Sequence, residues 1–205
     1  MKNIIFDIGA VLVEWDAPLA FAGHFVTRDE AIAWMDRIGF YDWNYEQDGG
    51  RSFADGLRAA HDQHGDEAAP LADYLDTFGM TIAHPVPGSW ELLETLTAAN
   101  APLYAITNWA AETWPTALQI YPRLATVFRD VVVSGQVGLL KPRPQIYRLL
   151  MDRNDLRPED CIFIDDNKAN VEGAQAVGID GIHFTGADQL ALDLAERGIL
   201  PKTRH

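Results

Sequence analysis

The stretch that decides the fold lies near the start of the chain and reads NIIFDIGAVL, from Asn3 to Leu12. Three apolar residues follow one another directly before Asp7, which is typical of a strand buried on both faces of a parallel sheet. We predict this strand from Asn3 to Ile8. Ligands of open parallel sheets bind beyond the carboxyl ends of the strands, which is where Asp7 would lie. Asp7 is therefore a candidate functional residue, although an aspartate in such a place can also cap a turn or a helix.

Further apolar runs of strand length alternate with amphipathic segments along the rest of the chain. The predicted strands are Leu103 to Ile106, Asp130 to Val133, Cys161 to Ile164 and, more weakly, Gly181 to Phe184. The predicted helices are Ser89 to Ala99, Gln145 to Arg153, Ala169 to Val177 and Asp188 to Arg197. Helices that alternate with buried strands indicate an α/β fold, here a Rossmann-like core with a parallel sheet.

The alternation stops between Val13 and about Pro87, where no convincing buried strand is found. Thr27 and Glu30 have the spacing of a capping box, which predicts the start of a helix. Ser52 begins a second helical pattern that runs towards His64. We therefore predict that residues 14–86, called the inserted segment below, form a helical cap placed after strand one. Residues 1–13 and 87–205 then make up the α/β core.

Bulk properties narrow the class of protein. The chain has 205 residues, of which 48% are hydrophobic, as expected for one globular α/β domain with an insertion. The formal net charge of −14 would repel nucleic acid, so we expect no nucleic-acid partner. No stretch approaches the ~20 apolar residues that span a bilayer, and the N-terminus does not resemble a signal peptide. A single cysteine, Cys161, has no disulfide partner in the chain, so we expect a cytoplasmic protein without a membrane partner.

Polar groups follow the predicted strands at the same end as Asp7. Thr107 and Asn108 come after the second strand, and Lys141 precedes the helix after the third. Asp165 and Asp166 come after the fourth. Since the carboxyl ends of parallel strands meet at one edge of a sheet, these groups should converge with Asp7 in a single crevice.

This order of motifs resembles the haloacid dehalogenase superfamily. The stretch Ser134 to Tyr147 is similar to the lysine segment of that family, and Ile162 to Asn167 is similar to its paired-acid motif. Motifs cover residues 1–13 and 88–185, while the inserted segment matches in position and helical character. Within the superfamily, the chain looks most like small bacterial sugar-phosphate phosphatases. The phosphatase domain of soluble epoxide hydrolases is similar at the paired acids.

The resemblance implies a magnesium-dependent hydrolase of small phosphate monoesters. A carboxylate that attacks a phosphate dianion meets like charge, and a Mg²⁺ ion with oxygen ligands removes this barrier. By resemblance, Asp7 is both nucleophile and metal ligand and forms an aspartyl-phosphate intermediate. Asp166 and the backbone carbonyl of Gly9 are the further metal ligands. The partner would be a small phosphorylated metabolite, with a sugar phosphate as one candidate.

The resemblance assigns the remaining groups to substrate binding and positioning. Thr107 and the Asn108 amide would hold a phosphoryl oxygen, and Lys141 would neutralise charge on nucleophile and phosphate. Asp165 would orient Lys141 or a metal-bound water, unless it caps the following helix. Trp109 directly follows the phosphate-binding pair, so it is a candidate for the wall of the substrate pocket.

Gly9 departs from the family pattern. Phosphatases of the superfamily carry a second aspartate two residues after the nucleophile, which acts as general acid and base. Loss of a general acid commonly lowers the rate by on the order of 10² to 10⁴. Glu14 and Asp16 are conceivable replacements. A glycine could instead serve a positive φ or a close approach to the metal.

Two other functions remain open at this point. A 2-haloacid dehalogenase would use the same aspartate, and its halide leaves without a proton, which is compatible with Gly9. It needs no metal, however, and would leave Asp165 and Asp166 without a use. A catalytically impaired protein that binds a phosphorylated ligand is the non-enzymatic alternative. Neither the substrate nor the oligomeric state is indicated by the sequence.

Overall fold

The structure of the protein is a computed structural model that describes residues 2–201. Its centre is a five-stranded sheet in the order β3-β2-β1-β4-β5, and every pair of neighbouring strands is parallel. The strands are β1 (Asn3–Phe6), β2 (Leu103–Thr107), β3 (Val131–Val133), β4 (Cys161–Asp165) and β5 (Asp180–His183). The predicted α/β fold with a parallel sheet is confirmed.

Strand β1 ends two residues earlier than its predicted end at Ile8. The backbone carbonyl of Ile8 accepts hydrogen bonds from the amides of Leu12 (2.9 Å) and Val13 (3.0 Å), so it belongs to a tight turn. The Asp7 amide still donates to the carbonyl of Ile164 in β4 over 2.8 Å. Asp7 therefore lies where the sheet stops and the turn begins.

Helices cover both faces of the sheet. Those that follow or precede its strands are α5 (Ser89–Ala98), α6 (Trp114–Ile120), α7 (Ser134–Val137), α8 (Pro144–Arg153), α9 (Lys168–Gln175) and α10 (Ala187–Glu196). Apolar residues of α8 and α9 form one buried cluster with alternate strand residues, such as Ile5 and Phe163. Residues of α5 and α10 lie in a second cluster with Ile4 and Phe6. Because both faces are covered, the central strands β1, β2 and β4 are mainly apolar. Each fully buried Ile, Leu or Phe contributes roughly 1.5–3 kcal/mol.

The inserted segment contains four α-helices and no named strand among the described residues. They are α1 (Arg28–Arg37), α2 (Phe40–Asp48), α3 (Phe53–His64) and α4 (Tyr74–Thr81), with 3-10 turns at Ala17–Phe21 and Gly65–Asp73. The predicted capping box begins α1, since the side chains of Thr27 and Glu30 each bond the other residue's backbone amide. Ser52 caps α3 by accepting from the Asp55 amide. Helices α2 and α4 were not predicted.

Two chain segments connect the inserted segment to the sheet, and they run side by side. Val13 and Pro85 form an antiparallel bridge. The Val86 amide donates to the Leu12 carbonyl (3.0 Å), and the Glu14 amide donates to the His84 carbonyl (2.9 Å). The division into a core and a cap stays a prediction, but these bonds lie where its boundaries were expected.

Within the described residues, no helix has both the length and the apolar composition needed to cross a bilayer.

Candidate active site

Lys141 joins two carboxylates at the carboxyl edge of the sheet. Its Nζ lies 2.7 Å from Oδ2 of Asp7 and 2.7 Å from Oδ2 of Asp165. The Lys141 side chain is fully buried, so both ion pairs are removed from water. Asp7 comes from the end of β1, Asp165 from the end of β4, and Lys141 from the loop before α8. Three groups separated widely in the sequence therefore meet as predicted for the crevice.

Several hydrogen-bond donors surround the Asp165 carboxylate. Besides Lys141, its carboxylate accepts from the Asn167 amide (2.8 Å) and from Nδ2 of Asn170 (3.1 Å to each oxygen). These hydrogen bonds fix the direction of the Asp165 carboxylate. Its contact with Lys141 is one of the two arrangements expected for it. Its role in the reaction stays a prediction.

Three carboxylates, those of Asp7, Asp165 and Asp166, lie together at this site with a single ammonium group, that of Lys141. Burial raises the pKa of the Asp7 carboxyl to about 8; the charge on Asp165 adds to the rise, and Lys141 opposes it. Burial acts to lower the pKa of Lys141, yet Asp7 and Asp165 together raise it, so Lys141 stays an ammonium. Burial and Asp165 also raise the pKa of Asp166. Burial therefore acts against the ionised forms of Asp7 and Asp166 in the metal-free site.

A cluster of three carboxylates could hold a cation. Asp7, Asp165 and Asp166, called the acid cluster below, each offer an oxygen, and these oxygens lie within 4.8 Å of one another. Asp166 is exposed, unlike the other two. Such oxygen ligands suit Mg²⁺, which prefers carboxylates and water.

Gly9 lines the same cavity as Asp7, but its backbone does not require glycine. Its φ lies outside the left-handed region, and a Cβ added there would meet no atom within 4 Å. The neighbouring Ala10 has the positive φ, 57°. The expectation that Gly9 serves a positive φ is therefore wrong, whereas the expectation that its carbonyl is a ligand stays a prediction.

Asn108 fastens the lysine loop to β2. Its Nδ2 donates to the Lys141 carbonyl (3.1 Å), and its Oδ1 accepts from the Lys141 amide (2.9 Å). One hydrogen of Nδ2 remains for a ligand, because a side-chain amide carries two. Thr107 at the end of β2 is buried, and its Oγ1 has no hydrogen-bond partner among the described residues. Such an orphaned hydroxyl fits an anion-binding role, although Thr107 is not among the residues that line the cavity.

The cavity beside the acid cluster has a volume of about 370 Å³. Its floor includes Asp7, Gly9, Asn108, Lys141 and Asp166. Its walls include Trp15, Asn44, Tyr45, Asp48, Tyr74, Phe78, Trp109 and Thr113. Pockets of this size suit small metabolites.

Trp109 lies in the wall of this cavity, and its contact with a substrate stays a prediction. Its ring packs edge to face on Phe78, with centroids 5.7 Å apart. Its indole Nε1 is buried without a partner among the described residues.

Several wall residues come from the inserted segment. Asn44 and Tyr45 fall in the stretch from Tyr41 to Glu46, which was a candidate from the sequence for facing the site, whereas Asp48, Tyr74 and Phe78 were not singled out. Asn44, Tyr45 and Asp48 share one face of α2, whose polar and aromatic mixture has no clear apolar stripe. The i, i+4 spacing of Asn44 and Asp48 is the one signal that could have indicated a common face. Tyr74 and Phe78 repeat that spacing on α4.

The two replacements considered for the missing aspartate lie elsewhere. Asp16 forms an ion pair with Arg28, with 2.7 Å between Asp16 Oδ1 and Arg28 Nη2. Glu14 is exposed, and its negative charge acts on Tyr121, which lines a different cavity. Neither residue lines the cavity beside the acid cluster.

Comparison with known proteins shows the family and agrees with the fold. The family model for haloacid dehalogenase-like hydrolases matches residues 1–178, most of the chain. The chain belongs to this family, and the protein is therefore a hydrolase of the class that its sheet and its acid cluster define.

Two relatives show how far sequence similarity extends. Flavin mononucleotide hydrolase 1 of Arabidopsis thaliana is 36% identical over 112 residues, which are 55% of this chain and 45% of that protein. The chain thus spans less than half the length of this relative. The sesquiterpene phosphatase astK of Aspergillus oryzae is 26% identical over 200 residues, which are 95% of each chain.

Solved structures share the fold at low sequence identity. A family enzyme from Bacteroides thetaiotaomicron, in complex with magnesium and inorganic phosphate, superposes with a TM-score of 0.69 at 18% identity. The superposition covers 91% of this chain and 95% of that one. A dehalogenase superposes with a TM-score of 0.64 at 19% identity, and the superposition covers 90% of this chain and 85% of that one. At these identities the likeness concerns the fold alone.

Proposed function

We propose that the protein is a Mg²⁺-dependent phosphatase that hydrolyses a small phosphate monoester through an aspartyl-phosphate on Asp7. The observation that carries the proposal is the meeting of Lys141 with Asp7 and Asp165, with the Asp166 carboxylate in the same cluster. Relatives named as a flavin mononucleotide hydrolase and a sesquiterpene phosphatase support it. Both act on phosphorylated compounds by name.

The acid cluster fits a divalent cation. Three carboxylates gather around one ammonium group. Burial raises the pKa of Asp7 and of Asp166, and the charge on Asp165 adds to both rises. Asp7, Asp166 and the Gly9 carbonyl would hold Mg²⁺. When bound, the ion would reduce repulsion between the carboxylate and the phosphate dianion.

The chain's own residues account for the rest of the chemistry. Asp7 is buried at a fixed position, since its Oδ1 accepts from the Ile8 amide over 2.7 Å and its Oδ2 faces Lys141. Lys141 is kept cationic by Asp165 and is available to a phosphoryl oxygen. Thr107 Oγ1 and the second Nδ2 hydrogen of Asn108 are further donors for that group.

The inserted segment is proposed as a cap that shapes the space for the leaving group. It contributes wall residues from α2 and α4, including Tyr45, Tyr74 and Phe78. These aromatic surfaces favour a leaving group with an apolar or planar part, and the cavity of about 370 Å³ favours a small one.

Turnover with and without metal tests the proposal directly. We expect p-nitrophenyl phosphate to be hydrolysed with Mg²⁺, to be left intact in excess EDTA, and to be hydrolysed again when Mg²⁺ is restored. Mn²⁺ or Co²⁺ should substitute in part, because oxygen sites discriminate weakly between these ions. Asp166→Asn should raise the Mg²⁺ concentration for half-maximal rate by at least about tenfold, while the exposed Asp152→Asn should not.

A parallel screen with 2-haloacids separates the other candidates. Halide release that persists in EDTA would establish the dehalogenase instead. Tight binding of phosphorylated compounds without turnover of any ester would establish the binding protein.

A further inference from the structure

One carboxylate in the cavity wall has no part in the chemistry described so far. Among the described residues, three carboxylates line the cavity: Asp7, Asp166 and Asp48. The first two belong to the acid cluster. Asp48 is the last residue of α2 and lies on the side of the cavity that the inserted segment forms.

Asp48 is tied to the core as well as to its own helix. The Asp48 backbone carbonyl accepts a hydrogen bond from Oγ of Ser134 over 2.6 Å. Oγ of Ser134 in turn accepts one from the Trp109 amide over 2.8 Å. Its carboxylate oxygen Oδ2 accepts from Nδ2 of Asn44, one helical turn earlier, over 3.1 Å. These bonds hold the carboxyl group at a defined place in the wall.

The surroundings of Asp48 favour a group that gains and loses a proton near neutrality. Burial raises the pKa of Asp48 to about 7, while the Ala110 backbone amide and the charge on Lys141 oppose the rise. The phenol of Tyr74 also faces it and stays neutral, since its own pKa is raised, chiefly by burial. General acids and bases work best when their pKa lies near the working pH.

The reaction needs such a group, and the position next to the nucleophile does not supply it. Gly9 has no side chain, Asp16 is paired with Arg28, and the exposed Glu14 does not line this cavity. Asp165 is committed to Lys141 and Asn170. Asp48 is the remaining carboxyl group in the wall on the leaving-group side.

We propose that Asp48 is the general acid and base of the reaction, replacing the aspartate that Gly9 lacks. This role rests on the proposed phosphatase function. In the first step, an Asp7 oxygen bonds to phosphorus, the bond from phosphorus to the leaving oxygen breaks, and Asp48 gives its proton to that oxygen. In the second, water bonds to phosphorus, the bond to Asp7 breaks, and the ionised Asp48 takes the proton of the water. Both carboxyl groups thereby return to their starting states.

Leaving groups that differ in their need for a proton test the proposal. Asp48→Asn should retain a wild-type burst of p-nitrophenol from p-nitrophenyl phosphate, because nitrophenolate leaves unprotonated. Its steady-state rate on that ester should fall, because hydrolysis of the phosphoenzyme lacks a base. Its burst with an alkyl phosphate should slow by about 10² to 10⁴. Asp42→Asn, an exposed carboxylate on the same helix, should behave as wild type on both esters.

Two further variants keep the test independent of folding defects. Asp48→Glu retains the acid and should keep more alkyl phosphate turnover than Asp48→Asn. At Gly9 an added Cβ meets no atom within 4 Å. Gly9→Asp should therefore restore alkyl phosphate turnover to Asp48→Asn. Rescue through a different residue at the same site would not follow if Asp48 only supported the helix.

The failures are distinguishable. If the wild-type protein with Mg²⁺ hydrolyses no phosphate ester, both the proposed phosphatase function and the proposed role of Asp48 are wrong. If the wild type is active and the Asp48→Asn burst rate falls by the same factor on both esters, Asp48 is not the proton donor. The same holds if Asp48→Asn keeps the full wild-type rate on both esters. In either case the proposed phosphatase function is unaffected.

Discussion

Folding raises the pKa of the Asp7 carboxyl, so this residue makes the stability of the protein depend on pH. Its pKa rises from 3.8 to about 8, mainly through burial, so the folded metal-free protein holds a proton there that the unfolded chain releases. Between these two values the folded state binds more protons than the unfolded state. Stability from this group is therefore highest at low pH and falls as the pH rises from about 4 to about 8.

Replacing Asp7 by asparagine separates catalysis from stability. Asp7→Asn should abolish turnover, because an amide is a poor nucleophile, while the similar shape preserves packing. In excess EDTA, it should melt at a higher temperature than the wild type, and this gain should grow between pH 5 and pH 8, since the amide does not titrate. Calorimetry at several pH values measures it.

The exposed Asp152→Asn is the matched control, for which we expect neither effect. A melting difference that stays constant over the pH range would contradict the raised pKa of Asp7. Turnover above a small fraction of the wild-type rate would show that another group attacks phosphorus.

At the scale of the elements, an aromatic cluster holds the inserted helices together. Tyr74 of α4 packs against Phe40 with ring centroids 5.3 Å apart and against Phe53 with centroids 5.9 Å apart. Phe40 begins α2 and also meets Phe21 at 5.4 Å. Helix α2 carries Asp48, so this packing sets the position of the cavity wall.

Removing the Phe40 ring should loosen α2 and lower stability. Phe40 is fully buried, and Phe40→Ala should reduce the free energy of unfolding by about 3–5 kcal/mol, because it leaves a cavity among the aromatic rings. Denaturant unfolding measures the loss. Val26→Ala, at a side chain that is 95% exposed, should change stability by less than about 0.5 kcal/mol. Equal effects of the two substitutions would mean that the aromatic cluster does not stabilise the helices.

For the whole molecule, the paired segments at residues 12–16 and 81–86 are the joint between the sheet and the inserted segment. Three backbone hydrogen bonds join these segments, among them the one from the Asp16 amide to the Thr81 carbonyl over 2.8 Å. The cavity lies between the acid cluster and α2, so a rotation about this joint would open or close it.

We expect the inserted segment to act as a lid. Mg²⁺ with orthovanadate, a phosphate analogue, should slow proteolysis within residues 14–86 relative to the metal-free protein, because closure orders the segment and excludes water. The cleavage time course, with fragments assigned by mass spectrometry, measures the effect. Identical time courses in both conditions would indicate a cap fixed in one position.

The sequence by itself determined the elements whose signals are local. Uninterrupted apolar runs predicted the five strands, and capping residues such as Thr27 and Ser52 predicted the starts of two helices. Asp7, Lys141 and Asp165 were predicted to converge because parallel strands bring their carboxyl ends to one edge. Their order along the chain was sufficient for that inference.

Only the tertiary structure decided what surrounds these groups. Helix α2 escaped prediction because two of its four buried residues, Asn44 and Gln47, are polar, so no apolar stripe marks its inner face. Nothing in the sequence distinguishes Asp48 from the many acidic residues that lie on the surface. Asp48 lines the cavity because α2 packs beside Ser134 and Trp109. Burial, and with it the pKa of a carboxyl group, depends on contacts between distant residues, and no local pattern encodes these contacts.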